Sequence, residues 1–111
     1  APQLVPEKNR QCLDACAECV ATCEACAQRC IAAADTAMVR CVQLCLDCAT
    51  LCQAGATLLA RDSGHAAGLC DQCAEACDAC ATECERFDDE LMRECAQACR
   101  RAAERCRAMA P

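Results

Sequence analysis

The chain has no Trp or Tyr and a single Phe among its 111 residues. Leu (9), Val (4), Ile (1) and Phe (1) fill 15 positions, about 14%, which is under the roughly 20% below which a charged chain is expected to stay disordered. A core of bulky aliphatic and aromatic side chains is therefore excluded. Gly and Pro are equally scarce, at 3 each, and the prolines (Pro2, Pro6, Pro111) sit near the ends. That argues against the loop-rich, irregular scaffold of a small disulfide-bonded secreted domain. Basic charge is in deficit, with 11 Lys+Arg against 17 Asp+Glu and a net charge of −6. Phosphate binding needs clustered basic charge, so nucleic acid is not an expected partner. No run of 18 apolar residues occurs, so no membrane span is expected, and no stretch reads as an export signal. At this length a single domain over 1–111 is expected.

What the chain has instead is cysteine. Cys (18) and Ala (26) supply most of the 56% hydrophobic fraction. The cysteines fall at 12, 16, 19, 23, 26, 30; at 41, 45, 48, 52; at 70, 73, 77, 80, 84; and at 95, 99, 106. Within each group the steps alternate between 3 and 4, apart from one step of 7 that passes over Ala102. This is the a/d seam of a heptad, which keeps one stripe of a helix facing its partners.

Four groups predict four helices. The first runs from about Pro6, suited to a first-turn position, to Ala33. Asp35 or Thr36 is the expected cap of the second, which reaches about Ala60. Asp62-Ser63-Gly64 breaks the chain, and Ser63 is the candidate cap of a third helix ending near Arg86. Asp88 or Asp89 caps the fourth, which ends near Ala110. Short connections make neighbours antiparallel, so the expected fold is an all-α, up-down-up-down four-helix bundle with a Cys-lined core. The seams extend to Met38, Gly55 and Leu59 on the second helix and to Met92, Ala102 and Met109 on the fourth. Leu13, Val20, Val42, Leu44, Leu51, Leu58 and several alanines flank them. Charged residues such as Glu18, Asp47, Asp78 and Arg100 lie outside, as a solvated face.

One or two buried cysteines would read as small hydrophobes. Eighteen on four seams do not, because Ala, Val or Leu would pack as well without the reactivity. Disulfides within a helix are poor geometry: i and i+4 Cβ atoms lie about 5–6 Å apart, where a disulfide wants about 3.5–4.5 Å. A metal bridging two sulfurs spans roughly 4.6 Å, judged from Zn–S bonds. The CxxxC pairs 12/16, 19/23, 26/30, 41/45, 48/52, 73/77, 80/84 and 95/99 can meet that span by side-chain rotation. Soft thiolates select Cu(I), Zn²⁺ or iron–sulfur clusters, and cluster motifs do not match this helical repeat. A Cys₄ zinc site leaves a double negative charge in the core, whereas Cu(I) with one thiolate is neutral. Charge balance thus favours Cu(I), at roughly one ion per cysteine. The alternative is a zinc or heavy-metal sink of metallothionein type, filling at about four or five ions.

Met38 and Met92 are candidate soft ligands at a bundle end, beside Cys30, Cys41, Cys84 and Cys95. Met109 and His65 belong to the other end, with Cys12 and Cys70. His65, the one histidine, reads as an exposed helix-start residue. A thiol redox enzyme needs an exposed, low-pKa Cys beside a positive group; the seam cysteines have Ala neighbours and no His partner, so no enzymatic activity is expected.

The segments CLDACAECVATCEACAQRC (12–30), MVRCVQLCLDCATLC (38–52), LLARDSGHAAGLCDQCAEACDACATEC (58–84) and ECAQACRRAAERCRAMA (94–110) resemble the bacterial copper storage proteins over essentially the whole chain, in particular the cytosolic-type branch. The resemblance implies a four-helix bundle storing Cu(I) on the 18 cysteines, mostly through CxxxC pairs, with no catalytic step. It implies copper ions as ligand, copper-dependent enzymes or chaperones as partners, and a tetramer. The chain departs from the branch before the fourth helix. There a His-rich loop and an opening Cys are replaced by Phe87-Asp88-Asp89-Glu90-Leu91-Met92, and a further Cys by Ala102. A methionine mouth through Met38 and Met92 is the expected substitute. A cytoplasmic location is expected, with export to the periplasm as the alternative.

Overall fold

The alternating spacing of the cysteines is realised as four helices in a computed structural model, which describes residues 3–109. They are α1 (Glu7–Ala33), α2 (Val39–Ala60), α3 (Ala66–Cys84) and α4 (Glu90–Met109). Pro6 stands just outside α1 in an extended conformation (ψ 137°) rather than in its first turn, and its carbonyl accepts the Asn9 N–H at 2.9 Å. Ala34 ends α1 in the left-handed region (φ 54°), its N–H returning to the Ile31 carbonyl, in the position that helices usually give to Gly.

The expected caps are present, but two of them act one turn away from the helices they were expected to open. The Asp35 carboxylate accepts the Ala37 N–H at 2.9 Å; it opens a single 3₁₀ turn, Thr36–Met38, that leads into α2. The Ser63 hydroxyl accepts the His65 N–H at 3.1 Å and so serves the turn before α3 rather than α3 itself. That helix stops at Cys84, two residues earlier than expected. Arg86 and Phe87 donate instead to carbonyls three residues back, the tighter winding common at helix ends. Asp89 caps α4, accepting from Leu91 N–H at 2.9 Å and Met92 N–H at 3.1 Å. The expected end of α4 near Ala110 lies outside the described residues, as do Pro2 and Pro111.

Each helix packs on its neighbours in the order α1–α2–α3–α4–α1, an up-down-up-down ring measuring 42 × 24 × 18 Å. Every cysteine points into the shared interior. Ala27, Ala49, Ala74, Ala81, Ala96 and Ala103 are buried beside the cysteines. Their small size lets the backbones close on a core made of atoms no larger than sulfur. Leu13, Val20, Val42, Leu44, Leu51 and Leu58 pack half-buried at the flanks. Outside, Arg100 bridges Asp78 and Glu85, Arg107 joins Asp78, and Arg101 joins Glu18. The stretch Thr36–Ala60 is long and apolar enough, by length and composition, to cross a membrane, although no run of 18 apolar residues is present. In this fold its cysteine face, with Gly55 and Leu59, is buried against the other helices.

Candidate metal centre

The four seams meet as two ladders of sulfur joined by cross-ties. On the α1–α4 side, Cys12 and Cys16 each approach Cys106 at 3.7 Å. Cys19 and Cys23 approach Cys99 at 3.7 and 3.6 Å, and Cys23 reaches Cys95 at 3.8 Å. On the α2–α3 side the rungs are Cys41–Cys84 and Cys45–Cys80 at 3.5 Å, Cys48–Cys77 at 3.4 Å and Cys52–Cys73 at 3.3 Å. Cys19–Cys48 at 3.6 Å and Cys12–Cys70 at 4.0 Å tie the ladders together. Along single helices, Cys19–Cys23, Cys41–Cys45 and Cys73–Cys77 stand at 3.7, 4.0 and 3.9 Å. Most of the close approaches therefore run between helices, across the bundle, with CxxxC neighbours filling in the direction along it.

Several sets already have the compactness of a metal site. The sulfurs of Cys19, Cys48, Cys52 and Cys77 lie within 4.8 Å of one another, as do those of Cys19, Cys23, Cys48 and Cys99. The same holds for Cys23, Cys45, Cys80 and Cys95, for Cys26, Cys45, Cys84 and Cys95, and for the trio Cys12, Cys70 and Cys106. Because members are shared between sets, the core is one continuous field of ligands rather than a row of separate sites. Cys30 interacts with Cys41 and Cys26 at its edge.

Protons are distributed unevenly through this field. Burial disfavours a thiolate, and hydrogen bonds between sulfurs decide which thiol keeps its proton. Hydrogen bonds with Cys106 and then Cys12, with burial adding less, raise Cys16 above the ordinary thiol range. Cys23 is raised by Cys19, and Cys84 by Cys26. Cys80 is lowered to about 6, first by its hydrogen bond with Cys23 and then by Cys45. Thiolate character, which metal binding requires, is thus available inside a core whose surroundings hold other sulfurs neutral.

The two ends of the bundle differ. At the Cys12 end, Leu59 and Asn9 are 0% and 1% exposed and close the seam. The Asn9 side-chain N–H₂ donates to the Leu59 carbonyl at 2.9 Å and to Asp62 Oδ1 at 3.1 Å, fastening α1 to the α2–α3 turn. His65 is exposed and Met109 half-buried there. At the opposite end the two candidate methionines part company. Met38 is half-buried and lines an open pocket of about 250 Å³ with Cys30, Ile31, Val39 and Val42. Met92 is fully buried and lines a narrower groove of about 120 Å³ between α1 and α4, with Cys26 and Cys95.

Reading the residues alone missed Asn9, although a signal existed: Val5 and Asn9 precede Cys12 at steps of 4 and 3, so the seam continues backwards through them. Glu83, buried and paired with Arg86 at 2.8 Å, sits one position off the seam and carries no such signal.

A four-helix bundle whose interior is a connected field of free thiols belongs to the class of multinuclear metal-thiolate binding proteins. More particularly, the chain belongs to the copper storage protein (Csp) family, whose description it matches over residues 5–111. This is a family of storage proteins, not enzymes. Among solved structures, the Cu(I)-bound copper storage protein BsCsp3 is similar at 31% identity and a TM-score of 0.88, covering 95% of this chain and 100% of that one. A protein from Nitrosospira multiformis is 38% identical, with a TM-score of 0.86 and coverage of 94% and 95%. The Ccsp copper storage protein from Streptomyces lividans, loaded with 10 copper equivalents, is 33% identical, with a TM-score of 0.84 and coverage of 93% and 83%. No curated protein sequence matches the chain. The family is one of copper storage, and the alternative of a metallothionein-type zinc sink gains no support from it.

Proposed function

We propose that this bundle stores and buffers Cu(I) to a capacity of about one ion per cysteine, on the order of 16–20 ions per chain. The observation that supports this reading is the shared membership of the sulfur sets. Neighbouring ions can use common thiolates, and a core filled at one Cu(I) per thiolate is electrically neutral, so no buried charge limits filling. All 18 cysteines serve as ligands. Met38 and Met92 act as weaker thioether ligands at the end away from Asn9, where a neutral, soft donor holds Cu(I) without trapping it.

The same chemistry favours a cytoplasmic location, since a store of free thiols lasts only where the compartment keeps them reduced. Copper chaperones or copper-dependent enzymes are the partners that would exchange metal with it. Ile31, Val39 and Leu46 are exposed large apolar residues on α1 and α2, the surface on which a homo-oligomer would form. Size-exclusion chromatography with light scattering decides that point.

Titration of the reduced protein with Cu(I) against a competing chelator tests the capacity. Tight uptake continuing to roughly one ion per thiol is expected, and a plateau at only a few ions would sink the reading.

A further inference from the structure

The two pockets at the open end are chemically unequal. The larger one, beside Met38, offers a single thiol, Cys30, and one thioether. The narrower groove between α1 and α4 gathers three soft donors, Cys26, Cys95 and Met92, behind Thr22, Ala25 and Leu91. Cys26 is also the most exposed cysteine, at 7%. Behind it, Cys26 and Cys95 form a set with Cys45 and Cys84 in which all four sulfurs lie within 4.8 Å of one another. The groove therefore connects solvent to the ligand field through the side of the bundle. At its rim, Arg29 is held to Asp89 at 2.9 Å.

We propose that Cu(I) is taken up laterally, through this α1–α4 groove, with Cys26 as the receiving thiol and Cys95 and Met92 completing a transfer site. This rests on the storage reading and gives it a route.

The ligand is Cu(I) carried by small thiolates. In the first exchange, the Cys26 thiol replaces one carrier thiolate: a Cu–S bond to Cys26 forms, one Cu–S bond to the carrier breaks, and the thiol proton leaves on the departing carrier. In the second, Cys95 does the same. The product is Cys26–S–Cu–S–Cys95, with two protonated carrier thiols released and copper still Cu(I). A linear bridge of about 4.6 Å suits a pair already within reach of one another. Met92 can hold the ion between exchanges without adding charge. From this bridge the ion passes to Cys45 and Cys84 without leaving the sulfur set.

The pocket beside Cys30 has one thiol on its lining, where the groove has two. That difference is what an experiment can read. Reduced full-length protein is mixed with the Cu(I) complex of 2-mercaptoethanol, and uptake is followed by the rise of the Cu–thiolate absorption. Leu91→Trp fills the groove, and Val39→Trp fills the other pocket. Leu91→Trp should slow uptake about tenfold, as access governs thiolate exchange, while Val39→Trp leaves the rate within about twofold of the parent. At one equivalent of copper, Cys26 and Cys95 should be the first residues protected from alkylation, read by peptide mass spectrometry. Cys26→Ser, the smallest change that removes the receiving sulfur, should also slow uptake and keeps the test standing if the Trp variant fails to fold. Unchanged rates in Leu91→Trp or Cys26→Ser, slowing by Val39→Trp, or first protection at Cys30 would overturn the lateral route. Equilibrium capacity separates the two readings. A full capacity with unaltered rates removes only the route, whereas a plateau at a few ions in the parent protein removes the storage reading beneath it.

Discussion

The Sγ atoms of Cys52 and Cys73 face each other across the α2–α3 interface at 3.3 Å. They are not bonded, since a disulfide needs about 2.0 Å, and they stand closer than a shared metal permits. A linear metal bridge asks for about 4.6 Å, and an ion held by three sulfurs for roughly 4.0 Å. Copper must therefore spread this rung. In a crystal structure of the loaded protein the Cys52–Cys73 separation is expected to exceed about 3.8 Å, with χ1 rotation absorbing most of the change and α2 and α3 keeping their places. A rung still near its present spacing, with copper bound elsewhere, would show that these two thiols are packing groups and not ligands.

Copper and protons compete for the same sulfurs. Cys16 is raised by its hydrogen bond with Cys106, and Cys23 by that with Cys19, with burial adding to both. Such groups are thiols at neutral pH, and each must lose its proton when it takes Cu(I). The sign follows directly: lowering pH adds protons to the free form, so apparent affinity falls as pH falls. An ion held by two such thiols should weaken by up to about a hundredfold per pH unit. Cys80, lowered to about 6 by its hydrogen bonds with Cys23 and then Cys45, contributes to this slope only below that pH. Chelator competition at pH 6 and pH 8 measures it, and a flat profile would mean the ligands are already thiolates.

Asn9 closes the far end by reaching from α1 to the Leu59 carbonyl and Asp62. Asn9→Ala removes both bonds and leaves the buried Leu59 carbonyl without this donor. That should cost about 1–3 kcal/mol, lowering the melting temperature of the reduced apo form by several degrees or more. No sulfur is touched, so copper capacity should be unchanged. Thermal circular dichroism and a copper titration on the same sample separate the two effects. A loss of capacity in the variant would make this end part of the copper path.

The cysteine spacing made the helices and their buried faces legible, because steps of 3 and 4 leave one face for all 18 sulfurs. Asp89 was equally legible, being an acidic residue just ahead of an apolar-periodic run. What escaped were features set by contacts remote in sequence. The stop of α3 at Cys84 depends on how the turn through Phe87 winds, and Ser63 ended up serving His65 because α3 begins three residues after it. The pairing of Cys52 with Cys73 or Cys23 with Cys99 depends on the rotation of each helix about its axis. That rotation is fixed by which alanines pack between the backbones, and an intrahelical CxxxC reading does not see it. Met92 was placed at the correct end, but its complete burial depends on the same packing.

Gly55 occupies a buried seam position inside α2, toward its C-terminal end. A Cβ added there would meet the Cys16 sulfur at 3.9 Å, an ordinary contact. Gly55→Ala should therefore stabilise the apo bundle by up to about 1 kcal/mol through helix propensity alone, read as a higher midpoint in chemical denaturation of the reduced protein. A lower midpoint would mean that the space above Cys16 matters to packing more than the backbone entropy gained.

Ala102 is fully buried on the α4 seam, between Cys99 and Cys106, where the otherwise regular steps of 3 and 4 give way to one of 7. Cys16, which approaches Cys106 at 3.7 Å, and Cys19, which approaches Cys99 at 3.7 Å, lie opposite this interval on α1. A thiol at 102 would thus enter an existing ladder between two rungs rather than a new environment. Ala102→Cys adds one sulfur atom to a methyl side chain, a change small enough for the flanking alanines to absorb at a cost within about 1–3 kcal/mol. If neutrality of the filled core sets the capacity, one more thiolate should admit about one more Cu(I). Paired titrations of parent and variant, with thiols counted in each, would show that increment. An unchanged plateau with an additional free thiol would mean that space, rather than the number of sulfurs, limits how much copper the bundle holds.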